Sequence, residues 1–593
     1  MTSRLKLRVA TAFSPARGRT FNIARQIKPL LSFLPGNLLL PLLDFRGSMC
    51  VAQHSSPFYF PAIDCPYSPA GAVATPVQRF ALSAKKEALL TRRLSILAVI
   101  NVALLLAAPS AILAQQPRGR GDAAETFQTA TPIKHLVVIF DENISFDHYF
   151  GTYPDALNPP GEPPFIALPG TPAVNNLTTT LLQHNPDTAA PFRLDRSDAV
   201  TCDNDNHYTD EQKAYHGGLL DEFSELLSGT GEGCTPNLSM GYYDGNTVTA
   251  LWYYAQHFAM SDNFFATEFG TTVMGHLNLV SGQTNGATPS SVSGKVANGS
   301  VIANIDPTDD DCSTGTTIMM SGQNIGNLLN AAGITWGWFY GDFVPASTSG
   351  GLAQCISQYD PHYAPFQYYS STANPHHLPP SSINAIGSSD QANHEYAVSD
   401  FWSAVDSGNL PAVSFIKPPA DQTGHPSTSS PLAEQQFLVD TINRLEESPF
   451  WKDTAIIVTY DDSDGWYDHV MPPIISQSND PSNDALLGSS GLCGTPAAGA
   501  YEDRCGYGPR LPFLVISPYA KANFVAHSLA DQTSIIRFVE DNWGLGRIGN
   551  QSFDALAGPI TNLFNFSNFQ NAGEDNRILI LDPSSGEPVG RGW

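Results

Sequence analysis

Two acidic segments of the chain could bind a metal ion, and each follows an apolar run that is typical of a buried strand. Asp461 and Asp462 follow one run, and Glu142 and Asn143 stand at the exit of the other. The carboxyl ends of parallel strands meet at one edge of a sheet, and adjacent carboxylates repel each other unless a cation joins them. The pattern indicates a divalent metal site. An acidic loop without a metal is the alternative that spacing alone leaves open.

Strand-like and helix-like patterns alternate along the chain. The predicted strands lie at 133–140, 334–340, 412–417, 454–460 and 511–518. The predicted helices lie at 246–258, 324–332, 394–407, 433–447 and 531–543. This alternation predicts an α/β fold with a mostly parallel central sheet and helices on both faces. The stretches 152–200 and 283–315, rich in Pro, Gly and Asn, are expected to be loops or excursions.

Several long motifs resemble the phosphoesterases of bacteria, fungi and plants, a family that includes non-haemolytic phospholipases C and acid phosphatases. These motifs lie in order at 142–151, 261–282, 409–417, 424–425, 461–469 and 505–519. The resemblance implies an alkaline-phosphatase-like α/β sandwich and metal-dependent hydrolysis of phosphate esters. It also implies that Glu142, Asn143, Asp461 and Asp462 are the metal ligands.

The resemblance further implies a hydroxyl nucleophile in the segment 270–275. The family's usual Gly-Pro-Ser-Thr-Pro-Gly aligns here with Gly-Thr-Thr-Val-Met-Gly, which places the nucleophile at Thr272. Both prolines of the pattern are missing and threonine replaces serine, although a threonine hydroxyl supports the same chemistry. Thr271 is the alternative nucleophile. From the residues alone, a helix cap is the better explanation of both threonines.

A leaving alkoxide needs a proton, and histidine is suited to supply one near neutral pH. His425, in Gly-His-Pro, matches the family's active-site histidine, and His362 is expected to be a second catalytic histidine. The family often has two consecutive histidines at the latter position, whereas the second residue here is Tyr363. His377 and His394 are competitors for this second role.

One divalent metal ion, Ca²⁺ or Mg²⁺/Mn²⁺, is the expected cofactor. All the predicted ligand atoms are oxygens, which these ions prefer, whereas zinc usually recruits His or Cys. His148 and His469, which stand beside the two acidic segments, are expected to brace the metal-binding loops.

The segment 85–114 has the features of a signal peptide. Arg92 and Arg93 precede an apolar run, and small residues follow it up to Ala114. The expected organisation is therefore this signal peptide, a linker at 115–131 and a phosphoesterase domain at 132–593, in a periplasmic or secreted protein. Residues 1–84 are expected to be a misassigned start or a disordered extension. A transmembrane anchor is the alternative for the apolar run.

Six cysteines follow the predicted signal peptide, and an even number in an exported protein predicts disulfides. Six cysteines allow 15 connectivities. Sequential pairs are favoured because each would close a loop or bracket an insertion. A zinc site is the rival interpretation, but the chain has no close C-x-x-C pair. The predicted pairs are Cys202–Cys234, Cys312–Cys355 and Cys493–Cys505.

The charge of the chain is strongly acidic and unevenly distributed. The net charge is −26, and the residues from 115 onward carry 17 basic and 53 acidic side chains. Such a body repels the phosphates of nucleic acids, so no nucleic-acid partner is expected. The 593 residues, 42% of them hydrophobic, are sufficient for one large α/β core.

These observations predict an exported phosphoesterase that acts through a phosphothreonine intermediate. Its substrate would be a phosphate monoester, as for an acid phosphatase, or a phospholipid head group, as for a phospholipase C. The second case implies transient contact with a membrane. The alternative is a metal-stabilised surface or binding protein without catalysis. That alternative requires Thr272 to lie away from the acidic cluster.

Overall fold

The structure is a computed structural model that describes residues 122–590 with gaps, together with two short strands nearer the N-terminus, Leu42–Leu43 and Met49–Cys50. The gaps are 232–233, 342–354, 356–357, 479–480, 489–490, 492, 495–500 and 569–576. The predicted signal peptide, the first part of the linker and most of the predicted extension 1–84 lie outside the described residues.

A sheet of eight strands forms the centre of the domain. The strands are β1 (His135–Asp141), β2 (Ala259–Ser261), β3 (Trp336–Tyr340), β4 (Glu395–Tyr396), β5 (Val413–Lys417), β6 (Thr454–Tyr460), β7 (Phe513–Ile516) and β8 (Phe524–Ala526). Their order across the sheet is β4-β3-β5-β1-β6-β7-β2-β8. All seven residues of β1 and of β6 are buried, which explains their nearly continuous apolar sequence. The coarse prediction of an α/β fold around a mostly parallel sheet is therefore confirmed.

Helices and shorter strands surround this sheet in the described part of the chain. The helices are α1 (Phe146–Phe150), α2 (Thr179–Gln183), α3 (Tyr208–Tyr215), α4 (Phe223–Leu226), α5 (Thr249–His257), α6 (Thr272–Ser281), α7 (Ile325–Ala332), α8 (Val398–Ser407), α9 (Pro431–Glu446) and α10 (Thr533–Trp543). The shorter strands include Phe192–Arg193, Gly241–Tyr242, Phe264–Phe265, Ala287–Thr288, Val296–Ala297, Ser300–Val301, Asp306–Pro307, Thr317–Met320, Gln477–Ser478, Glu502–Asp503 and Ala530–Asp531. No helix among the described residues combines the length and the apolar character needed to span a membrane.

The five predicted strands are all present, and one of them runs antiparallel within the mostly parallel sheet. β7 pairs antiparallel with both β6 and β2, whereas the other seven strands of the sheet share one direction. The strands β2, β4 and β8 were not predicted, because two or three residues are too few to show a periodic pattern. The predicted helix 394–407 begins only at Val398, since 395–396 pair with β3 as β4.

The second half of the predicted linker lies on the surface of the domain. Ala124 is fully buried, and the backbone N–H of Ala130 donates to the carbonyl of Asn542 over 2.8 Å. The side chain of Asn542 also accepts from the backbone N–H of Thr131 at 3.0 Å. Residues 122–131 are thus held against helix α10.

The three predicted disulfides are confirmed. Their Cα–Cα separations, 5.4, 5.6 and 5.8 Å, lie within the ordinary range for a disulfide. The first holds the segment before α3, the second links the segment before α7 to the segment after β3, and the third closes the loop that leads to β7. The pairs are Cys202–Cys234, Cys312–Cys355 and Cys493–Cys505.

Candidate active site

The two acidic segments leave the sheet side by side. β1 and β6 are parallel neighbours, and Tyr460 stands opposite Asp141 in their register. Glu142 and Asp461, one residue further along each strand, therefore emerge at the same edge. β5 is the other parallel neighbour of β1, so Lys417 at its end reaches this edge as well.

Asn143 joins the two segments through its backbone and its side chain. Its backbone is left-handed, with φ of 64°, a conformation that asparagine tolerates better than most residues. Its backbone N–H donates to Oδ1 of Asp461 at 3.0 Å, and its side-chain amide donates to Oδ1 of Asp464 at 2.8 Å. Both bonds orient the amide oxygen of Asn143 without engaging it.

Asp462 lies between the acidic segment and the N-terminus of helix α6. Its Oδ1 accepts from the side-chain amide of Asn206 at 3.0 Å and from the backbone N–H of Asp464 at 2.7 Å. Its Oδ2 accepts from the hydroxyl of Thr272 at 3.4 Å. The predicted nucleophile thus faces a predicted metal ligand.

Helix α6 starts at Thr272 and approaches the acidic segment closely. Thr271 occupies the capping position, but its side chain makes no capping hydrogen bond. A capping role therefore does not account for either threonine hydroxyl. Gly275 lies against the backbone of Asp461, where an added Cβ would stand 2.2 Å from the carbonyl oxygen. This glycine allows the helix to bring Thr272 up to the carboxylates.

Buried oxygens of the cluster fit the donor set of a divalent cation. Glu142 Oε2, Asn143 Oδ1 and Asp461 Oδ2 accept no hydrogen bond from any described residue. Burial raises the pKa of Asp461 well above its usual range and that of Asp462 to about 7. A bound cation would offset this cost of burying several carboxylates together.

Lys417 supplies one positive charge to this cluster. Its ammonium is fully buried, 2.8 Å from Oε1 of Glu142 and 3.7 Å from Oδ2 of Asp461. Its Nζ also lies 4.9 Å from the ring centre of Tyr363. A single lysine does not neutralise the three carboxylates of Glu142, Asp461 and Asp462. The remaining negative charge is available for a divalent ion.

The two predicted catalytic histidines lie at different distances from the cluster. His425 Nε2 stands 4.0 Å from Oε2 of Glu142, so His425 borders the predicted ligands. His362 lies farther from the predicted ligands, with Tyr363 between it and His276. Its ring packs edge-on against Tyr363 at 4.4 Å, and the ring of Tyr363 in turn stacks on His276 at 5.8 Å.

The two competing histidines have other contacts. The ring of His394 stacks on Trp336 and its Nδ1 lies 2.9 Å from the carbonyl of Trp336, the first residue of β3. His394 therefore lies at the opposite edge of the sheet from Glu142. His377 is buried with Nε2 3.0 Å from Oδ1 of Asp310.

His148 and His469 both contact the loops that carry the predicted ligands. His148 stacks on Trp466 with ring centres 3.7 Å apart. His469 Nδ1 lies 2.6 Å from Oδ2 of Asp147. The buried guanidinium of Arg510 lies 3.0 Å from Asp147 and 3.1 Å from Asp468. Asp147, Asp468, His469 and Arg510 form a second charged group, which we call the clamp. Because the buried guanidinium of Arg510 already pairs with both carboxylates, we infer that the clamp is structural.

The clamp should make stability depend on pH. Burial by itself would lower the pKa of His469, but Asp147 outweighs burial and raises it above the ordinary 6.5. The charged imidazolium therefore stabilises the fold fully below pH 6.5, and this contribution is lost as pH rises through the folded-state pKa. We expect His469→Gln to lower the free energy of unfolding by roughly 1–2 kcal/mol at pH 6 and by less at pH 9.

Urea unfolding at both pH values measures this difference. Tyr467→Phe is the matched control, because it removes the hydroxyl that accepts from the side-chain amide of Asn185 at 3.1 Å, and neither group titrates between pH 6 and pH 9. Its effect should not change with pH. An equal loss for His469→Gln at pH 6 and pH 9 would contradict the charged pair.

Sequence reasoning missed four residues of this site, three of them buried and the fourth, Asn206, half-buried. Lys417 could have been found, because a charged residue ends a predicted buried strand. His276 carries no such signal, although its Nδ1 lies 3.5 Å from Oδ2 of Asp461. Asn206 and Glu211 belong to a polar stretch that has the composition of an exposed segment.

Comparison with known proteins identifies the family. The model of the Phosphoesterase family matches residues 133–546, which is more than half of the chain. The chain belongs to the phosphoesterase family. The prediction of a hydrolase of phosphoric ester bonds is confirmed at this level.

Similar proteins are phospholipases C from several bacteria. The chain is 28% identical to the non-hemolytic phospholipase C of Pseudomonas aeruginosa, over 74% of this chain and 58% of that protein. It is 26% identical to phospholipase C A of Mycobacterium tuberculosis, over 75% of this chain and 80% of that protein. It is 26% identical to the non-hemolytic phospholipase C of Burkholderia pseudomallei, over 74% of this chain and 60% of that protein.

Proposed function

We propose that this protein is an exported, metal-dependent phosphoesterase of the phospholipase C type that acts through a phosphothreonine at Thr272. One observation carries the proposal. The hydroxyl of Thr272 lies 3.4 Å from Asp462, at the edge of a buried cluster in which Glu142 Oε2, Asn143 Oδ1 and Asp461 Oδ2 accept no hydrogen bond from the described residues. A hydroxyl beside such a cluster is the arrangement that phosphoryl transfer to a protein nucleophile needs.

The oxygens of Glu142, Asn143, Asp461 and Asp462 would hold one divalent ion, Ca²⁺ or Mg²⁺/Mn²⁺. Such an ion supplies Lewis acidity that offsets the charge developing on the transferred phosphoryl group. Lys417 adds a fixed positive charge on the same side of the site. The two cationic groups together suit a dianionic or monoanionic phosphate.

Thr272 is the group that attacks phosphorus in this proposal. It is the first residue of α6, where free backbone N–H groups and the helix dipole favour an anion. The carboxylate of Asp462 accepts the hydrogen bond of the hydroxyl and is placed to take its proton. His425 protonates the leaving alkoxide, with His362 in support. Water then releases the phosphoryl group from Thr272, as phosphocholine when the substrate is phosphatidylcholine and as phosphate when it is a monoester.

The named relatives favour a phospholipid head group as substrate, since all three are phospholipases C. A phosphate monoester is the second candidate, supported by the motif 461–469, which resembles the acid-phosphatase version. The non-catalytic alternative, a metal-stabilised surface or binding protein, requires Thr272 to lie away from the acidic cluster. The 3.4 Å contact removes the support for that alternative.

The three disulfides support a periplasmic or secreted location. The family and the mostly parallel sheet support the alkaline-phosphatase-like sandwich as the fold. The acidic character of the residues from 115 onward, with 53 acidic against 17 basic side chains, argues against a nucleic-acid partner. Transient contact with a membrane follows if the substrate is a phospholipid.

A hydrolysis panel tests the proposal. Purified protein is assayed with phosphatidylcholine and with p-nitrophenyl phosphate, with and without chelator, and after addition of Ca²⁺, Mg²⁺ or Mn²⁺. We expect release of phosphocholine that chelator abolishes and one of these ions restores, because the carboxylates alone repel the phosphate. Turnover of the monoester alone would favour the acid phosphatase. Full activity in chelator, or no turnover of either substrate with any ion, would refute the proposed function.

A further inference from the structure

The segment 203–211 passes over the candidate active site and carries side chains into it. Its start is held by the disulfide Cys202–Cys234, and its end is the first turn of helix α3. The backbone N–H of Asn204 donates to Asp464 at 3.3 Å, and the amide of Asn206 donates to Asp462 at 3.0 Å. This segment therefore contacts the metal loop, by which we mean residues 461–468.

Glu211 extends from this segment into the interior, where it is fully buried. Its Oε1 accepts from the hydroxyl of Ser463 at 2.5 Å. Its Oε2 accepts from the backbone N–H of Gly270 at 3.0 Å. One carboxylate thus contacts two loops that are distant in the sequence.

The two partners of Glu211 are direct neighbours of the reacting groups. Ser463 follows Asp462, the predicted ligand that accepts from Thr272. Gly270 stands two residues before Thr272 in the nucleophile loop, by which we mean residues 270–272. Gly270 has φ of 120°, a backbone conformation that only glycine adopts readily, and its N–H donates to the carboxylate of Glu211.

Burying this carboxylate is costly. Burial raises the pKa of Glu211 to about 8, and the bonds from Ser463 and Gly270 offset only part of that rise. Replacing the carboxylate by a methyl group would leave the N–H of Gly270 without this acceptor inside the protein. A costly group with two well-directed bonds indicates a role beyond filling space.

We propose that Glu211 is a positioning residue that fixes the nucleophile loop against the metal loop. It sets the separation and direction of Thr272 relative to Asp462 through Gly270 and Ser463, and it does not itself touch the substrate. This inference rests on the proposed function of Thr272. A shift of about 1 Å in the attacking group is sufficient to lower a rate about 10²-fold.

Two variants at this position and one matched control test the inference. Glu211→Ala removes both acceptors. Glu211→Gln keeps an acceptor for Gly270 and can donate to the oxygen of Ser463, so it preserves the link between the loops. Glu446→Ala removes a buried glutamate whose pKa burial also raises to about 8, but whose partner is the backbone N–H of Leu579.

The measurements are kcat and KM for p-nitrophenyl phosphate at saturating metal, metal affinity by calorimetry, and thermal unfolding. We expect Glu211→Ala to lower kcat about 10²-fold with KM changed by less than about threefold, since the fault lies in orientation. Glu211→Gln should recover most of kcat. Glu446→Ala should lower the unfolding temperature and leave kcat unchanged.

Ser463→Ala gives a second route if Glu211→Ala does not fold. It removes the hydroxyl that donates to Glu211, together with the bond that this oxygen accepts from the backbone N–H of Gly465 at 3.1 Å. Ser463→Ala should lower kcat. The double variant Ser463→Ala/Glu211→Gln should lower kcat by a smaller factor than the product of the factors for the two single variants, because both substitutions act on the same hydrogen bond. Wild-type kcat in Glu211→Ala, or in Ser463→Ala when Glu211→Ala does not fold, would overturn the inference. If the wild-type protein is active and the Thr272→Ala variant is equally active, the proposed function is overturned instead.

Discussion

Thr272→Ala is expected to lower turnover of phosphate esters by about 10⁴-fold or more while the fold and the metal affinity stay largely intact. The covalent route needs an oxygen that forms and breaks a bond to phosphorus, and binding energy cannot replace it. The hydroxyl of Thr272 points at Asp462 and closes no helix cap, so its loss removes little structure. Rapid quench with ³²P-labelled substrate should show label on the wild-type protein and none on the variant.

Two neighbouring variants make this test specific. Thr272→Ser keeps the hydroxyl and should keep measurable turnover and labelling. Thr271→Ala should also remain active, because the side chain of Thr271 caps no helix and makes no hydrogen bond with any described residue. Label that maps to Thr271, or near-normal rates in Thr272→Ala, would show that the nucleophile is misassigned.

Gly275→Ala should damage the site without changing a single reacting group. The new Cβ would stand 2.2 Å from the carbonyl oxygen of Asp461 and 2.9 Å from its Cα, and backbone atoms cannot rotate away as side chains do. Helix α6 and the metal loop must therefore separate. We expect a loss of about 2–3 kcal/mol in the free energy of unfolding and a kcat about 10²-fold lower. Denaturant unfolding and steady-state kinetics measure the two effects.

Gly326→Ala is the matched control for that experiment. Gly326 also lies in the first part of a helix, and an added Cβ there would stand 2.5 Å from the ring of Trp336. Trp336 begins β3, at the opposite edge of the sheet from the predicted ligands. The control should lose stability but keep its metal affinity and its kcat. If Gly275→Ala kept both its metal affinity and its kcat, the close approach of α6 to the backbone of Asp461 would not be needed for activity.

The sequence predicted those parts of the fold whose signal is local. β1 and β6 are fully buried, and their uninterrupted apolar runs identified them and the acidic residues at their ends. Strand direction is a pairwise property, so no pattern within 511–518 could show that β7 is antiparallel. Glu211 was missed for a similar reason. A glutamate in a polar helix has the signature of an exposed residue until its two partners are seen.

The reversed direction of β7 has a consequence for how the site forms during folding. Arg510 enters the clamp from the start of its strand, while Asp147 follows the end of β1, and 363 positions separate the two. The bond between Asn143 and Asp461 spans 318 positions. Contacts of such high sequence separation require long loops to close, which costs chain entropy and slows folding. The clamp therefore requires both ends of the domain, and an N-terminal fragment that ends before residue 510 lacks Arg510 and cannot form it.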